Sequence, residues 1–129
     1  LDDLIQPGHI NPDHARYELH RVWVVESTLK EGTSHIYSRR TFYIDEDSWT
    51  ILAVDAYDGR GQLWRVAEQH VVQAFDIPGI NPSAEVHHDL QSGRYLAMGL
   101  VNEEPRVYRR IKRNASDFSP SGLRNMGTR

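Results

Sequence analysis

RYELHRVWVVESTLKEGTSHIYSRRTFYIDEDSWTILAVDAYDGRGQLWR, residues 16–65, decides the fold class. It holds three long runs rich in Val, Ile, Thr, Tyr and Trp, and the start of a fourth. Each join carries turn chemistry: Lys30-Glu31-Gly32-Thr33, Asp45-Glu46-Asp47-Ser48 and Asp58-Gly59-Arg60-Gly61. Apolar, β-branched runs bounded by Gly, Asp and Ser clusters are the strand and hairpin signature. The expected architecture is mainly β, a curved antiparallel meander forming an incomplete barrel, with one short C-terminal helix.

Within this stretch, strand one is expected over Tyr17–Thr28. Tyr17, Leu19, Trp23 and Val25 lie on one face, and Glu18, His20, Val22, Val24 and Glu26 on the other. Apolar residues on both sides of its centre imply partial cover on both. Strand two is expected over Ser34–Asp45, with Ile36, Phe42 and Ile44 opposite Tyr37, Thr41 and Tyr43. Strand three is expected over Trp49–Tyr57 and strand four over Gln62–Ile77. Sixteen residues would extend roughly 50 Å at strand rise, so strand four must bend or break, around Ala67–His70.

Outward from that core, Leu1–Ala15 holds Pro7, Gly8, Asn11 and Pro12 with little periodicity and reads as an irregular lead-in. Ile77–Ser83 reads as a loop. Ala84–Gln91 and Arg94–Asn102 form a hairpin across Ser92-Gly93, and Val107–Ile111 is a last, basic-flanked edge strand. Ser119-Pro120 fits an N-cap followed by Pro at the first helical position, with Ser121–Met126 as a short helix stopped near Gly127. The domain reading is residues 1–129 as one domain, or as the C-terminal portion of a larger one. Residues 1–15 form the lead-in, 16–112 the sheet, and 113–129 the tail.

At 129 residues the chain is one domain's worth, and no apolar run approaches the roughly 20 residues that span a bilayer. The opening Leu1-Asp2-Asp3 has no signal-peptide pattern and reads as an excised or processed piece. Net charge is -3, which argues against nucleic acid as the main partner. Arg106, Arg109, Arg110, Lys112 and Arg113 nevertheless gather near the end, fitting either a local anionic contact or a solvated edge. The absence of cysteine removes disulfides, thiolate nucleophiles and Cys-type zinc sites together.

Seven histidines suggest metal chemistry, but the pattern does not carry it. In His87-His88-Asp89 only His87 and Asp89 share a strand face, and two ligands do not make a site. His20, His35, His70 and His87 would have to converge across strands. The carboxylates Asp45, Glu46 and Asp47 lack EF-hand alternation and read as a solvated hairpin loop. No nucleophile elbow, zinc-helix motif or phosphate loop is present, and no helix follows Asp58–Gly61 to face a phosphate. The chain is read as a non-enzyme with neither metal nor cofactor.

The aromatic set says more. Tyr17, Trp23, Tyr37, Phe42, Tyr43, Trp49, Tyr57 and Trp64 all fall in the first four strands. A curved sheet lined this way encloses an apolar cavity for a lipid-like ligand, or packs its rings under a covering helix or neighbouring domain. Trp23, Tyr37, Phe42, Trp49 and Trp64 are the candidate lining. Alternation alone does not say which face is concave.

RYELHRVWVVESTLKEG, RRTFYIDEDSW, DAYDGRGQLWRV and HDLQSGRYLAMGLVNEEP also resemble the C-terminal part of a bacterial family of unknown function. Its members are commonly labelled candidate outer-membrane lipoprotein-sorting proteins. The resemblance runs from about Ala15 to Arg129. It implies a fold similar to the periplasmic lipoprotein carriers LolA and LolB, with helices over the concave face supplied by an upstream part. It also implies a place in the periplasm or at the outer-membrane periphery, in envelope traffic of hydrophobic cargo alongside RND-type exporters and outer-membrane partners. No catalytic residue is implied. The alternative is an interaction module whose sheet edge pairs with an upstream domain or an exporter.

Overall fold

The computed structural model describes residues 1–75, 79–100 and 112–127. Two short strands, β1 (Ile5–Gln6) and β2 (His9–Ile10), pair around Pro7-Gly8, so the lead-in is more ordered than its composition suggested. Six strands then make one antiparallel sheet in chain order: β3 (Val22–Thr28), β4 (Arg39–Asp45), β5 (Ile51–Tyr57), β6 (Leu63–Ala74), β7 (Gly79–Asp89) and β8 (Arg94–Met98). The expected meander is present as an open sheet. A 3-10 turn (Ala115–Phe118) and helix α1 (Pro120–Met126) follow.

Strands begin where a partner exists to receive their hydrogen bonds. β3 starts at Val22, which faces Asp45, the last residue of β4; beyond that pair the Arg21 carbonyl still accepts the Glu46 amide at 3.2 Å, and the β4 chain then turns away. The expected start at Tyr17 is therefore corrected. The same logic trims strand two: Thr28 faces Arg39, so residues 34–38 lack a β3 partner, although the Ser38 amide still donates to the Tyr57 carbonyl at 2.9 Å. Trp49 and Thr50 belong to the turn before β5. Trp49 has φ +57, a left-handed conformation that no strand accommodates.

Register shifts lie at Tyr43/Ile44, Ala56/Tyr57 and His70/Val71. Each places an extra residue on one strand, which bends the strand and raises its twist. The third falls at the end of the Ala67–His70 stretch where a bend was expected. It also corrects the reading of residues 79–83 as loop. His70 faces Ala84 while Val71 faces Pro82, so Ser83 is the extra residue. Its hydroxyl donates to the His70 carbonyl at 3.2 Å. Ile77 and the proposed strand Val107–Ile111 lie outside the described residues, as do Arg106, Arg109 and Arg110.

Local chemistry closes the joins. Asp58 accepts the backbone amides of Arg60 at 2.9 Å and Gln62 at 3.0 Å, and Gly61 takes φ +76. Asp89 accepts the amides of Gln91 and Ser92 at 3.2 and 2.9 Å, and Gly93 takes φ +70. In the tail, the Ser119 hydroxyl accepts the Gly122 amide at 3.1 Å with Pro120 at the first turn, the cap expected from sequence.

Directly paired residues share a face, so the register separates the sheet into two sides. Val24, Thr41, Asp45, Glu68, Val86, His88 and Tyr95 share one. The lead-in crosses this side as a strap: the Tyr95 hydroxyl donates to the Gln6 carbonyl at 2.7 Å. The Tyr17 hydroxyl donates to Glu68 at 3.2 Å, and His20 meets Asp45 at 3.1 Å. Beneath it, Val86 is fully buried, with Thr41 and Asp45 also buried, as is Ile10 of the strap. Accessible surface totals 10463 Å². A compact 14.9 kDa monomer exposes roughly 7000 Å².

Candidate functional site: the uncovered face of the sheet

The opposite side carries Trp23 and Val25 of β3, Phe42 of β4, Val54 of β5, Ala67 of β6, His87 of β7, and Leu96 and Met98 of β8. Trp23 is 55% exposed and Leu96 56%, with Val25 and Met98 also exposed; Phe42 and Val54 are half-buried. An apolar strip thus runs across the sheet, interrupted at β7 by His87, and among the described residues no strap crosses it. At its middle lies a shallow concavity of about 170 Å³, lined by Leu52, Val54, Ala67, Gln69, Glu85 and His87 among others.

Four of the five candidate rings meet this face, in two groups. Trp23 and Phe42 belong to the apolar strip: Val25 faces Phe42, and Trp23 faces Ile44 next to it. Tyr37 and Trp64 form an edge-to-face pair at 5.7 Å at the far end, tied to Arg65 and Asp89. Arg65 lies 4.3 Å over the Trp64 ring and donates to the Tyr37 hydroxyl at 2.9 Å. Trp64 Nε1 and Arg65 Nε donate to Asp89 at 3.1 and 3.3 Å. The Tyr37 hydroxyl hydrogen bond helps hold the Arg65 guanidinium above its ordinary pKa. This end is a stacked, charge-assisted clasp joining β6 to the β7–β8 turn. Trp49 stands apart at the β4–β5 turn, 71% exposed.

Val25, Val54, Leu96 and Met98 were not singled out in the sequence. Val25 shares parity with Trp23, and Leu96 with Met98, so each pair was legible within its strand. That they join the same surface depends on cross-strand register.

The ionisable groups are committed to structure. Asp45 is buried and accepts the Ser48 hydroxyl at 2.6 Å, the Ser48 amide at 2.9 Å and His20. The Ser48 hydroxyl chiefly holds the Asp45 carboxyl below its usual range. The solvated-loop reading is therefore corrected at Asp45, while Glu46 pairs with Arg21. Asp58 is held down to about 2, first by the Gln62 amide and then by Arg60 and Gln91. Glu68 is lowered mainly by His70, and burial raises the Tyr17 hydroxyl above it.

The histidines His20, His35, His70 and His87 do not converge. They sit with Asp45, Tyr37, Tyr17 and Glu85 respectively, and His88 stacks on Tyr95 at 5.9 Å. Among the described residues no three metal-ligating side chains come together, and no helix is long and apolar enough to cross a membrane.

Comparison with known proteins fits this geometry. A domain described as a candidate outer membrane lipoprotein-sorting protein, from Vibrio parahaemolyticus, superposes with a TM-score of 0.51 at 20% identity, over 60% of this chain and 33% of that one. At that identity the likeness concerns the fold. The uncharacterized protein PA3922 of Pseudomonas aeruginosa is 51% identical over 128 residues, covering 98% of this chain. The chain spans 28% of that relative's length. The model for the protein family of unknown function DUF1329 matches residues 1–124. The chain belongs to the DUF1329 family.

Proposed function

We propose that this chain is the sheet part of a non-enzymatic, envelope-associated carrier, and that its uncovered face shelters a lipoprotein acyl chain or another hydrophobic molecule. The observation that carries the reading is the asymmetry of the sheet: one side strapped over a buried Val86, the other an exposed apolar strip. The shared fold with a candidate lipoprotein-sorting domain supports it. Binding proceeds by burial of apolar surface at roughly 25 cal/mol per Å², with no bond made or broken. Trp23 and Phe42 contact the cargo, Tyr37 and Trp64 close one end of the strip, and Trp49 lies outside it. The setting is the periplasm or the outer-membrane periphery, with an RND-type exporter or outer-membrane protein as partner. Residues 1–129 act as one domain or as the C-terminal portion of a larger LolA/LolB-like one.

Native mass spectrometry after offering long-chain fatty acids and diacyl phospholipids tests this. The expected result is a stoichiometric adduct that Phe42→Ala and Leu96→Asp each weaken. A clean apo mass for the wild type at saturating lipid would remove the carrier reading.

A second reading, an interaction module, is favoured by one observation: β3 ends the sheet and carries exposed Trp23, Val24 and Val25. Its partner would be an upstream domain or an exporter component, seated by strand addition. Pull-down with an isolated exporter component, lost on Val24→Lys, distinguishes it from the carrier.

A further inference from the structure

Seven arginines fall within residues 1–100, and five of them pair with a carboxylate: Arg16 with Glu18, Arg21 with Glu46, Arg39 with Glu26, Arg60 with Asp58 and Arg65 with Asp89. Arg40 and Arg94 have no carboxylate partner among the described residues, and both are exposed. Both stand on the uncovered face, in the register row Ser27, Arg40, Ala56, Arg65, Asp89 and Arg94. That row lies two positions along each strand from the row that holds Val25, Phe42, Val54, Ala67 and Leu96, so the cations flank the apolar strip on one side. The other flank carries Glu85, which pairs with His87 at 3.3 Å. The two unpaired arginines differ in their surroundings. Arg94 faces the Asp89 carboxylate directly, so a negative charge already stands beside it. Arg40 faces Ser27 and Ala56, and its guanidinium lies 5.5 Å over the Phe42 ring, at the border of the strip.

We propose that the cargo sheltered on this face is a long-chain carboxylate, its headgroup seated on Arg40 beside Ser27 and its chain laid over Phe42, Val54 and Ala67 toward Leu96. This narrows the carrier reading and rests on it. The guanidinium fork matches a carboxylate with two parallel hydrogen bonds, and the Ser27 hydroxyl, facing Arg40 from β3, is a further donor. Apolar surroundings lower the local dielectric, so a charge at the border of the strip attracts its counter-ion more strongly than one at an open surface. A single guanidinium balances the single charge of a carboxylate, whereas a phosphate monoester carries nearly two. From β4 to β8 the path crosses four strand spacings, roughly 19 Å, the reach of a long acyl chain. Asp89 keeps the headgroup from Arg94, and Glu85 repels it from the other flank. Charge therefore gives the chain one orientation on the sheet.

The experiment uses the full-length protein and an uncharged naphthylamine dye that fluoresces in apolar sites, displaced by dodecanoate or by dodecanol. The wild type is expected to bind dodecanoate at least about tenfold more tightly than dodecanol, in keeping with a charge-assisted hydrogen bond. Arg40→Gln is expected to erase that preference by weakening dodecanoate alone. Arg40→Lys keeps part of it, since charge remains and the fork is lost, and Arg94→Gln leaves it intact. Equal affinities in the wild type, as when an acidic segment of the protein itself occupies Arg40, would overturn the proposal and leave the carrier reading standing. A preference that survives Arg40→Gln, or that vanishes in Arg94→Gln, would do the same. If neither ligand displaces the dye, the carrier reading falls and this proposal with it. Unchanged dodecanol affinity reports that Arg40→Gln is folded; should it unfold, the wild-type comparison and Arg40→Lys decide.

Discussion

The two sides of this sheet are built from the same strands and differ in what crosses them. Across the strapped side, one contact from the lead-in and two from the segment that follows it reach β8, β6 and the β4 end: Gln6 to Tyr95, Tyr17 to Glu68 and His20 to Asp45. Under them lie a fully buried Val86 and a buried, fully engaged Asp45. Across the other side nothing comparable runs among the described residues, and Trp23, Val25, Leu96 and Met98 stay exposed. Side chains of similar hydrophobicity thus divide by location into those that hold the fold and those available to a ligand. Stability and binding are expected to be separable by mutation.

The largest contrast is between neighbours on β7 and β8. Val86→Asp buries an unpaired carboxylate under the strap and is expected to cost about 3 kcal/mol or more. Leu96→Asp, on the uncovered face, is expected to stay within about 0.5 kcal/mol while weakening acyl binding. Urea unfolding of the two variants makes the comparison, and equal losses would erase the distinction between the faces.

Next in size is Asp45→Ala. It strands the Ser48 amide and hydroxyl and frees His20, for an expected loss of about 1–3 kcal/mol. Cargo affinity is expected to be unchanged.

Acid acts on the same side and on the turns. Asp45, Asp58, Glu68 and Asp89 are all held below their ordinary carboxylate values, Asp58 down to about 2. A depressed folded pKa contributes stability above the unfolded value of about 4, and that contribution is lost as pH falls through the folded one. Thermal stability is therefore expected to fall between roughly pH 4 and 2. Asp58→Asn should flatten part of that slope, and an unchanged slope in Asp58→Asn would contradict the assignment.

The smallest expected effect is at Trp49. Its φ of +57 is costly for a bulky residue, and its ring is exposed. Trp49→Gly removes the strain and is expected to raise stability by up to about 1 kcal/mol, with no loss of binding.

Much of this was legible locally. Asp58–Gly61 and Ser92-Gly93 announced their turns through residues that close Asp-centred hydrogen bonds and tolerate positive φ, and Ser119-Pro120 announced a helix start. The runs between them announced strands. What sequence did not give was non-local. Tyr17–His20 has strand composition, but β4 ends at Asp45 and pairing stops at the Glu46 amide on the Arg21 carbonyl, so the segment leaves the sheet and becomes part of the strap. Pro82 reads as a loop residue, yet a bulge at Ser83 admits it to β7. Parity placed Trp23 with Val25, but only the pairing of Val25 with Phe42 brought the β4 ring to the same face. Nothing local separated Trp49, at a turn, from the rings that meet the uncovered side.

The most direct test is tryptophan quenching by a brominated long-chain fatty acid in two single-tryptophan variants. In one, Trp49→Phe and Trp64→Phe leave Trp23 as the reporter; in the other, Trp23→Phe and Trp64→Phe leave Trp49. Saturable quenching of Trp23, with Trp49 unaffected, is the predicted result. Unquenched Trp23, or equal quenching of both, would contradict the assignment of the uncovered face as the seat of a hydrophobic cargo.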